Sequence, residues 1–253
     1  MKKNIEHALQ SELDLLKLQA ETWPAEEVLR WALAKFGQNI AIASGFGVEG
    51  MALIDLASRL TPHLRIMTLD TEFLFPETYE LIERTEKRYG IRVERIYSAL
   101  RPEEQAQSHG PALWARDPDQ CCNLRKVEPL RRKLSQLQAW GTAIRREQSS
   151  ARAHAHKIEW DRKFHLVKIN PIVDWTAKQV WTYIFEHDVP YNPLHDQNYP
   201  SIGCIHCTRS IRPGEDARAG RWSGFQKTEC GLHADPASAG GLVRLEIPAA
   251  CEE

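Results

Sequence analysis

The 253-residue chain lacks an excess of either charge, a long apolar run and an internal repeat. Lys and Arg total 33 against 34 Asp and Glu, so no global field draws the protein onto nucleic acid or an anionic membrane. An anionic ligand must therefore be met by a local cluster. No stretch approaches the ~20 apolar residues that span a bilayer. The start, Met1 to His7, is basic but leads into the mixed Ser11 to Lys17, so the expectation is no secretory signal, no membrane partner and a cytoplasmic protein. A composition of 42% hydrophobic and 26% charged residues excludes disorder and leaves the chemistry open.

What the chain does have is six cysteines: Cys121, Cys122, Cys204, Cys207, Cys230 and Cys251. In a chain without a signal peptide, clustered cysteines read as metal or redox sites before they read as disulfides. Between them runs an alternation of strand and helix signals. Pro24 with Val28, Leu29, Ala32, Leu33 and Phe36 predicts an amphipathic helix closed by Gly37. Ile40 to Ala43 predicts a strand and Met51 to Leu60 a helix. Arg65 to Leu69 predicts a second strand ending at Asp70-Thr71, Pro76 to Tyr89 a helix closed by Gly90, and Ile91 to Tyr97 a third strand. A helix follows Cys122, Leu166 to Ile169 is another strand, and Thr176 with Gln179 caps a helix to about His187. This alternation implies an α/β fold with a mostly parallel sheet covered on both faces. The expected organisation is a leader over 1–24, a ligand- and cluster-binding domain over 25–213 and a C-terminal segment over 214–253. From Pro190 to Gly231 the chain is rich in Pro, Gly, Asn and Asp without periodicity, and Ala234 to Gly241 reads as a flexible tail.

Ser44-Gly45-Phe46-Gly47-Val48-Glu49-Gly50 places glycines between a strand and a helix, where backbone N–H groups can close on an anion. It is neither a Walker loop nor a dinucleotide fingerprint. Alone it reads equally well as a structural turn; Asp70-Thr71 at the end of the next strand tips it toward a ligand edge. Cys121-Cys122 and Cys204-Ile205-His206-Cys207 form a four-thiol set, for which zinc is the simplest reading. Adjacent cysteines are awkward for one tetrahedral ion, and a multi-iron cube relaxes that demand, so spacing favours 4Fe-4S over zinc. Lys126, Arg145, Arg146, Arg152, Arg209, Arg212, Arg218 and Arg221 surround these cysteines, a density that suits a polyanionic ligand although any one cation is by default solvated surface. Cys230 stands outside the pairs, beside Gly231 and three residues before His233. Its arginine-rich approach suits a nucleophilic thiolate as well as an inert leftover thiol. Cys251 has no cation beside it and reads as incidental. His154, His156 and His206 are not chosen as ligands; Trp175 and Trp181 fit helix packing, and Trp222 beside Arg221 suits a cover over a ligand.

Taken in order, Leu69-Asp70-Thr71, Leu74 to Tyr79, Cys121-Cys122 with Arg125-Lys126-Val127, Arg145 to Ser149, Asn192 to Asp196, Ser201 to Cys204 with Cys207-Thr208-Arg209, Gly214 to Trp222 and Glu229-Cys230-Gly231-Leu232-His233 resemble the adenylyl-sulfate (APS) and phosphoadenylyl-sulfate (PAPS) reductase family. The resemblance covers about Phe36 to His233. It implies a Rossmann-like fold of the adenine nucleotide α-hydrolase type with Ser44 to Gly50 as a modified pyrophosphate loop and a C-terminal catalytic tail. It implies one 4Fe-4S cluster per subunit on Cys121, Cys122, Cys204 and Cys207, and Cys230 as nucleophile. Lys126, Arg218, Arg221 and His233 match positions around the sulfate and phosphosulfate, and Arg152 matches a phosphate-contacting arginine. Ser44, Gly45, Gly47, Asp70, Thr71, Arg145 and Arg146 complete the expected substrate contacts. Both cysteine pairs point to APS as substrate, with thioredoxin or a similar dithiol as reductant. PAPS or dual-substrate reduction, an ATP-dependent adenylating enzyme that thiolates tRNA, and a zinc module are the alternatives. A homo-oligomer is compatible with the sequence, which selects no assembly state.

Overall fold

A computed structural model describes residues 10, 12, 13, 15–227 and 229–233; Ala234 to Gly241 and Cys251 lie outside them. Six strands form one sheet: β1 (Ile40–Ala43), β2 (Ile66–Asp70), β3 (Val93–Tyr97), β4 (Ala139–Gly141), β5 (Ile158–Asp161) and β6 (Leu166–Ile169). Their order is β3-β2-β1-β4-β6-β5, parallel throughout except for β5, which pairs antiparallel to β6. Because β1 has β2 on one side and β4 on the other, the chain reverses its winding there. The carboxyl ends of these three strands then open a crevice at the switch point.

One face of the sheet is covered by α1 (Ala25–Phe36) and α2 (Val48–Ser58), and α3 (Pro76–Tyr89) adds buried Leu81 and Ile82 to the same core. Nearly every residue of α2 is buried, Leu53 and Ile54 completely; each such side chain contributes roughly 2–3 kcal/mol by leaving water. α3 has the predicted bounds, with Pro76 in its first turn and Gly90 closing it in the left-handed conformation at φ 63°. Short α4 (Pro102–His109) and α5 (Leu113–Arg116) lead into the helix that carries the first cysteine pair.

That helix lies on the opposite face. α6 (Pro118–Cys122) runs through a π turn (Asn123–Val127) into α7 (Glu128–Leu134), packing Val127, Leu130 and Leu134 on Ala41, Met67 and Trp140. The Glu128 N–H reaches back five residues to the Asn123 carbonyl immediately ahead of Pro129. Proline has no N–H for the carbonyl four residues back and its ring crowds that oxygen, which favours the wider turn here. α8 (Ala177–Glu186) starts at the predicted capping box, Thr176 Oγ1 accepting from the Gln179 N–H at 3.2 Å.

Described residues ahead of Pro24 pack on this body. Leu13 and Ala20 are buried in the main core, and Glu21 pairs with Arg146 and His156, because a sheet face wider than α1 alone needs further apolar cover. Among the described residues no helix is long and apolar enough to cross a membrane.

Candidate active site

The loop after β1 is shaped by three local contacts. The Ser44 N–H continues the ladder to the Met67 carbonyl at 2.9 Å, and Ser44 Oγ accepts from the Phe46 N–H at 3.0 Å. Phe46 takes the left-handed conformation at φ 57°, unfavourable for a bulky residue, and is fully buried in the core. Burial of its ring holds the turn and leaves Gly45 facing open space. Gly47 caps α2, whose first N–H groups have no intrahelical acceptors. Gly50 lies against Ser44 so closely that a Cβ would overlap Ser44 Oγ. Gly50→Ala is expected to cost about 1–3 kcal/mol in urea unfolding by forcing loop and helix apart; an unchanged midpoint would show that the packing is soft.

β2 ends in a matching turn. Asp70 Oδ1 accepts from the Glu72 N–H at 2.9 Å and from Tyr79 OH at 2.8 Å, while Arg95 stands 3.8 Å from Oδ2. Burial and this carboxylate push the Tyr79 phenol far above its ordinary range. Asp70 is thus the buried acceptor that sets the turn, with Glu72 at φ 57°. Thr71 Oγ1 lies 3.3 Å from Cys204 Sγ and so joins the strand end to the second cysteine pair.

Cys121, Cys122, Cys204 and Cys207 line one pocket together with Phe73, Trp114, Arg125, Lys126, His206 and Trp222. All four are free thiols. Among the described residues no three His, Cys, Asp or Glu side chains converge closely enough to hold a single metal ion. Burial pushes the Cys121 thiol up to about 11 and Cys207 up to about 12, each helped by its cysteine neighbours. Cys204 goes the other way. Burial opposes its ionisation, but Lys126, Thr71 and Arg221 outweigh burial and lower its pKa. For Lys126, burial opposes the ammonium while Cys204, Cys122 and Cys230 favour it, and the net shift is upward. His206 is exposed and stacks flat on Trp114 at 4.0 Å, at the border of the same pocket.

The arginines divide into two groups. Arg145 donates to Glu49 Oε1 from Nε at 3.1 Å and Nη2 at 2.9 Å and also pairs with Glu147; Gln148 Nε2 donates to the same Glu49 oxygen at 2.9 Å. Arg146 pairs with Glu21 and donates to the Ala155 carbonyl at 2.9 Å. These two hold the loop around α2 and the N-terminal residues in place. Arg152, Arg218 and Arg221 instead converge on the C-terminal segment. Arg152 Nη2 meets Glu229 Oε2 at 2.7 Å, Arg218 Nη2 meets the same oxygen at 3.5 Å, and Ser149 Oγ donates to Glu229 Oε1 at 2.8 Å. Arg218 and Arg221 share Ser201 Oγ at 3.4 and 3.3 Å. Arg221 lies 4.5 Å over the Trp222 ring, which is buried against the cysteine pocket and is a wall of it, not a lid over the crevice. Gly203 lies directly beneath the Arg221 guanidinium, which a Cβ there would push aside.

Cys230 is half-buried, and its charge is felt by Lys126, Cys122, Lys163 and Arg218. Its segment has neither helix nor strand. It is docked by Glu229, by Lys163 donating to the Gly231 carbonyl and by His233 stacked on Trp140 at 5.7 Å. Burial, then Lys168, Arg152, Arg218 and Lys163, push the His233 imidazole well below its ordinary value, so it is neutral at pH 7. The structure thus brings Lys126, Arg221 and Cys230 to the two cysteine pairs, and sets Arg152, Arg218 and His233 along the C-terminal segment that carries Cys230. Glu49, Arg125, Gln148, Ser149, Ser201 and Glu229 were given no role by sequence reasoning. The only signal for Glu229 was its place directly before Cys230.

The Phosphoadenosine phosphosulfate reductase domain model matches residues 39–210. An adenosine 5'-phosphosulfate reductase of Shouchella clausii is 50% identical over 209 residues, covering 82% of this chain and 87% of that protein. The adenosine 5'-phosphosulfate reductase 2 of Bacillus subtilis is 48% identical over 83% of this chain and 89% of its own. Among solved structures, the phosphate complex of a PAPS reductase from Candida auris superposes with a TM-score of 0.69 at 33% identity, over 79% of this chain and 97% of that one. Candida glabrata FMN adenylyltransferase, at 16% identity, TM-score 0.52 and coverage of 72% and 61%, shares the fold alone. With the crevice at the switch point, the paired cysteines and the docked C-terminal thiol in place, the chain belongs to the family of APS and PAPS reductases.

Proposed function

We propose that the protein reduces adenosine 5'-phosphosulfate to sulfite and AMP for sulfate assimilation, using Cys230 as nucleophile. The observation that supports this most directly is the half-buried Cys230 thiol near Lys126 and Arg218, its neighbour Glu229 held on Arg152, in a chain 44–50% identical to adenosine 5'-phosphosulfate reductases. A thiolate approaching a sulfate meets like-charge repulsion. Lys126, Arg218, Arg221 and the N–H groups after Ser44 offset it by neutralising the phosphosulfate. The Cys230 thiolate attacks the sulfate sulfur, an S–S bond forms, the bond from sulfur to the phosphate oxygen breaks, and AMP leaves with the electron pair. A thiol of thioredoxin or a similar dithiol then attacks Cys230 Sγ and releases sulfite; its second thiol resolves the mixed disulfide and restores Cys230.

The four paired cysteines fit a 4Fe-4S cluster better than one zinc ion, since four thiols border one pocket without converging on a point. Bound there, the cluster supplies compact charge and sulfur acceptors beside Lys126 that tune the site. Anaerobic analysis is expected to find about four iron and four sulfide per chain, with sulfite released from APS in preference to PAPS. One zinc per chain, or faster turnover of PAPS, would overturn the cluster or the substrate respectively.

A further inference from the structure

Glu229 sits where an anion is expected. It is 8% exposed, with one carboxylate oxygen on Arg152 and Arg218 and the other on Ser149. Two guanidinium groups and a hydroxyl around two coplanar oxygens are a phosphate-binding set. Burial opposes its ionisation, but Arg152, Arg218 and Ser149 hold the carboxyl below the usual range, so it is a carboxylate at neutral pH. Arg152 has no open approach. The residue is itself 8% exposed, its Nη1 donates to Gln148 and its Nη2 to Glu229.

We infer that Glu229 is an internal stand-in for the ligand's phosphate, docking the C-terminal segment on Arg152 and Arg218 until the nucleotide displaces it. This rests on the reading that Arg152 receives the phosphate. Phosphate reaches Arg152 only as Glu229 leaves, so nucleotide entry and release of the docked segment are one event. Among the described residues the other ties of the segment are the Gly231 carbonyl on Lys163, Leu232 against the core around Trp140, the stack of His233 on Trp140, and Lys227 on Asp119. Cys230, the next residue, is thereby held in one place in the empty protein and freed to re-seat when the substrate arrives. A docked state favoured about ten to one lowers apparent nucleotide affinity about tenfold.

The test uses AMP and the full chain. Glu229→Gln is near-isosteric and removes the charge; by calorimetry it is expected to bind AMP about tenfold more tightly than wild type. In limited trypsin digestion followed by mass spectrometry, AMP is expected to speed the cut after Lys227 in wild type, a readout that needs no variant. In Glu229→Gln that cut is expected to be fast without AMP. Equal or weaker AMP binding by Glu229→Gln overturns the inference, as does protection of Lys227 by AMP. Tighter binding with no change in cleavage reports only the loss of a nearby negative charge and also overturns it. Arg152→Gln separates the two levels. If it weakens AMP binding tenfold or more while Glu229→Gln has no effect, only the displacement fails; if it leaves AMP binding unchanged, the assignment of Arg152 to the phosphate fails first.

Discussion

Cys230→Ser is expected to lower sulfite formation from APS by on the order of 10⁴-fold or more, as removal of a covalent nucleophile does elsewhere. Binding of AMP is expected to persist, because the groups that face the phosphate in the proposed site, Lys126, Arg152, Arg218 and Arg221, come from the π turn and from segments ahead of Cys230. The measurement is transfer of label from ³⁵S-APS to the protein without a reducing dithiol. Wild type should retain label that a thiol removes as sulfite, and the serine variant should retain none. Label on Cys230→Ser would move the nucleophile to another cysteine. Cys204 is the foremost rival, since Lys126 and Arg221 also act on it and lower its pKa against burial.

Arg125→Met is expected to destabilise the fold by about 3 kcal/mol, or on the order of 10 °C in Tm for a chain of this size. Arg125 is 1% exposed, its Nη1 donating to the Thr71 carbonyl at 3.0 Å and Glu72 at 3.2 Å, and its guanidinium standing 4.5 Å over the Phe73 ring. Glu72 reaches water and recovers solvation, so the main loss is the buried Thr71 carbonyl and the void under Phe73. The same turn presents Thr71 Oγ1 to Cys204, so if the proposed cluster is bound there its iron content falls with stability; Arg125→Lys, keeping charge without the planar fork, should lie between. Thermal unfolding followed by circular dichroism checks this. A methionine variant as stable as wild type would mean that the turn after β2 is held by Asp70 alone.

Elements with strong end signals were legible residue by residue. Pro76 and Gly90 bound α3, and the Thr176–Gln179 box starts α8, because a cap is a contact within one turn of chain. β4 was missed. Its three residues, Ala139 to Gly141, carry no β-branched side chain, and it exists because β1 and β6 flank it. β5 was missed because Ile-Glu-Trp-Asp, although it alternates apolar and polar, does so over four residues only and pairs only at the sheet edge. α2 begins three residues earlier than its apolar pattern suggested, since Gly47 caps it within the glycine loop.

By itself the sequence determined the chemical inventory: four paired thiols, a fifth thiol with an arginine-rich approach, and glycines at a strand end. Those depend on residue type and short spacing. Only the tertiary structure decided which cations face the crevice. Arg145 and Arg146 turn inward to Glu49 and Glu21, Arg125 is buried under Phe73, and Arg152 is covered by Glu229 from 77 residues away. The reason is physical: an arginine's charge has the same letter in water or buried, and its partner is chosen by contacts between segments far apart in the chain. Thr71 beside Cys204, separated by 133 residues, is the same case; the antiparallel bridge between Leu74 and Cys204 and the Ile205 N–H on the Phe73 carbonyl bring the strand end to that thiol.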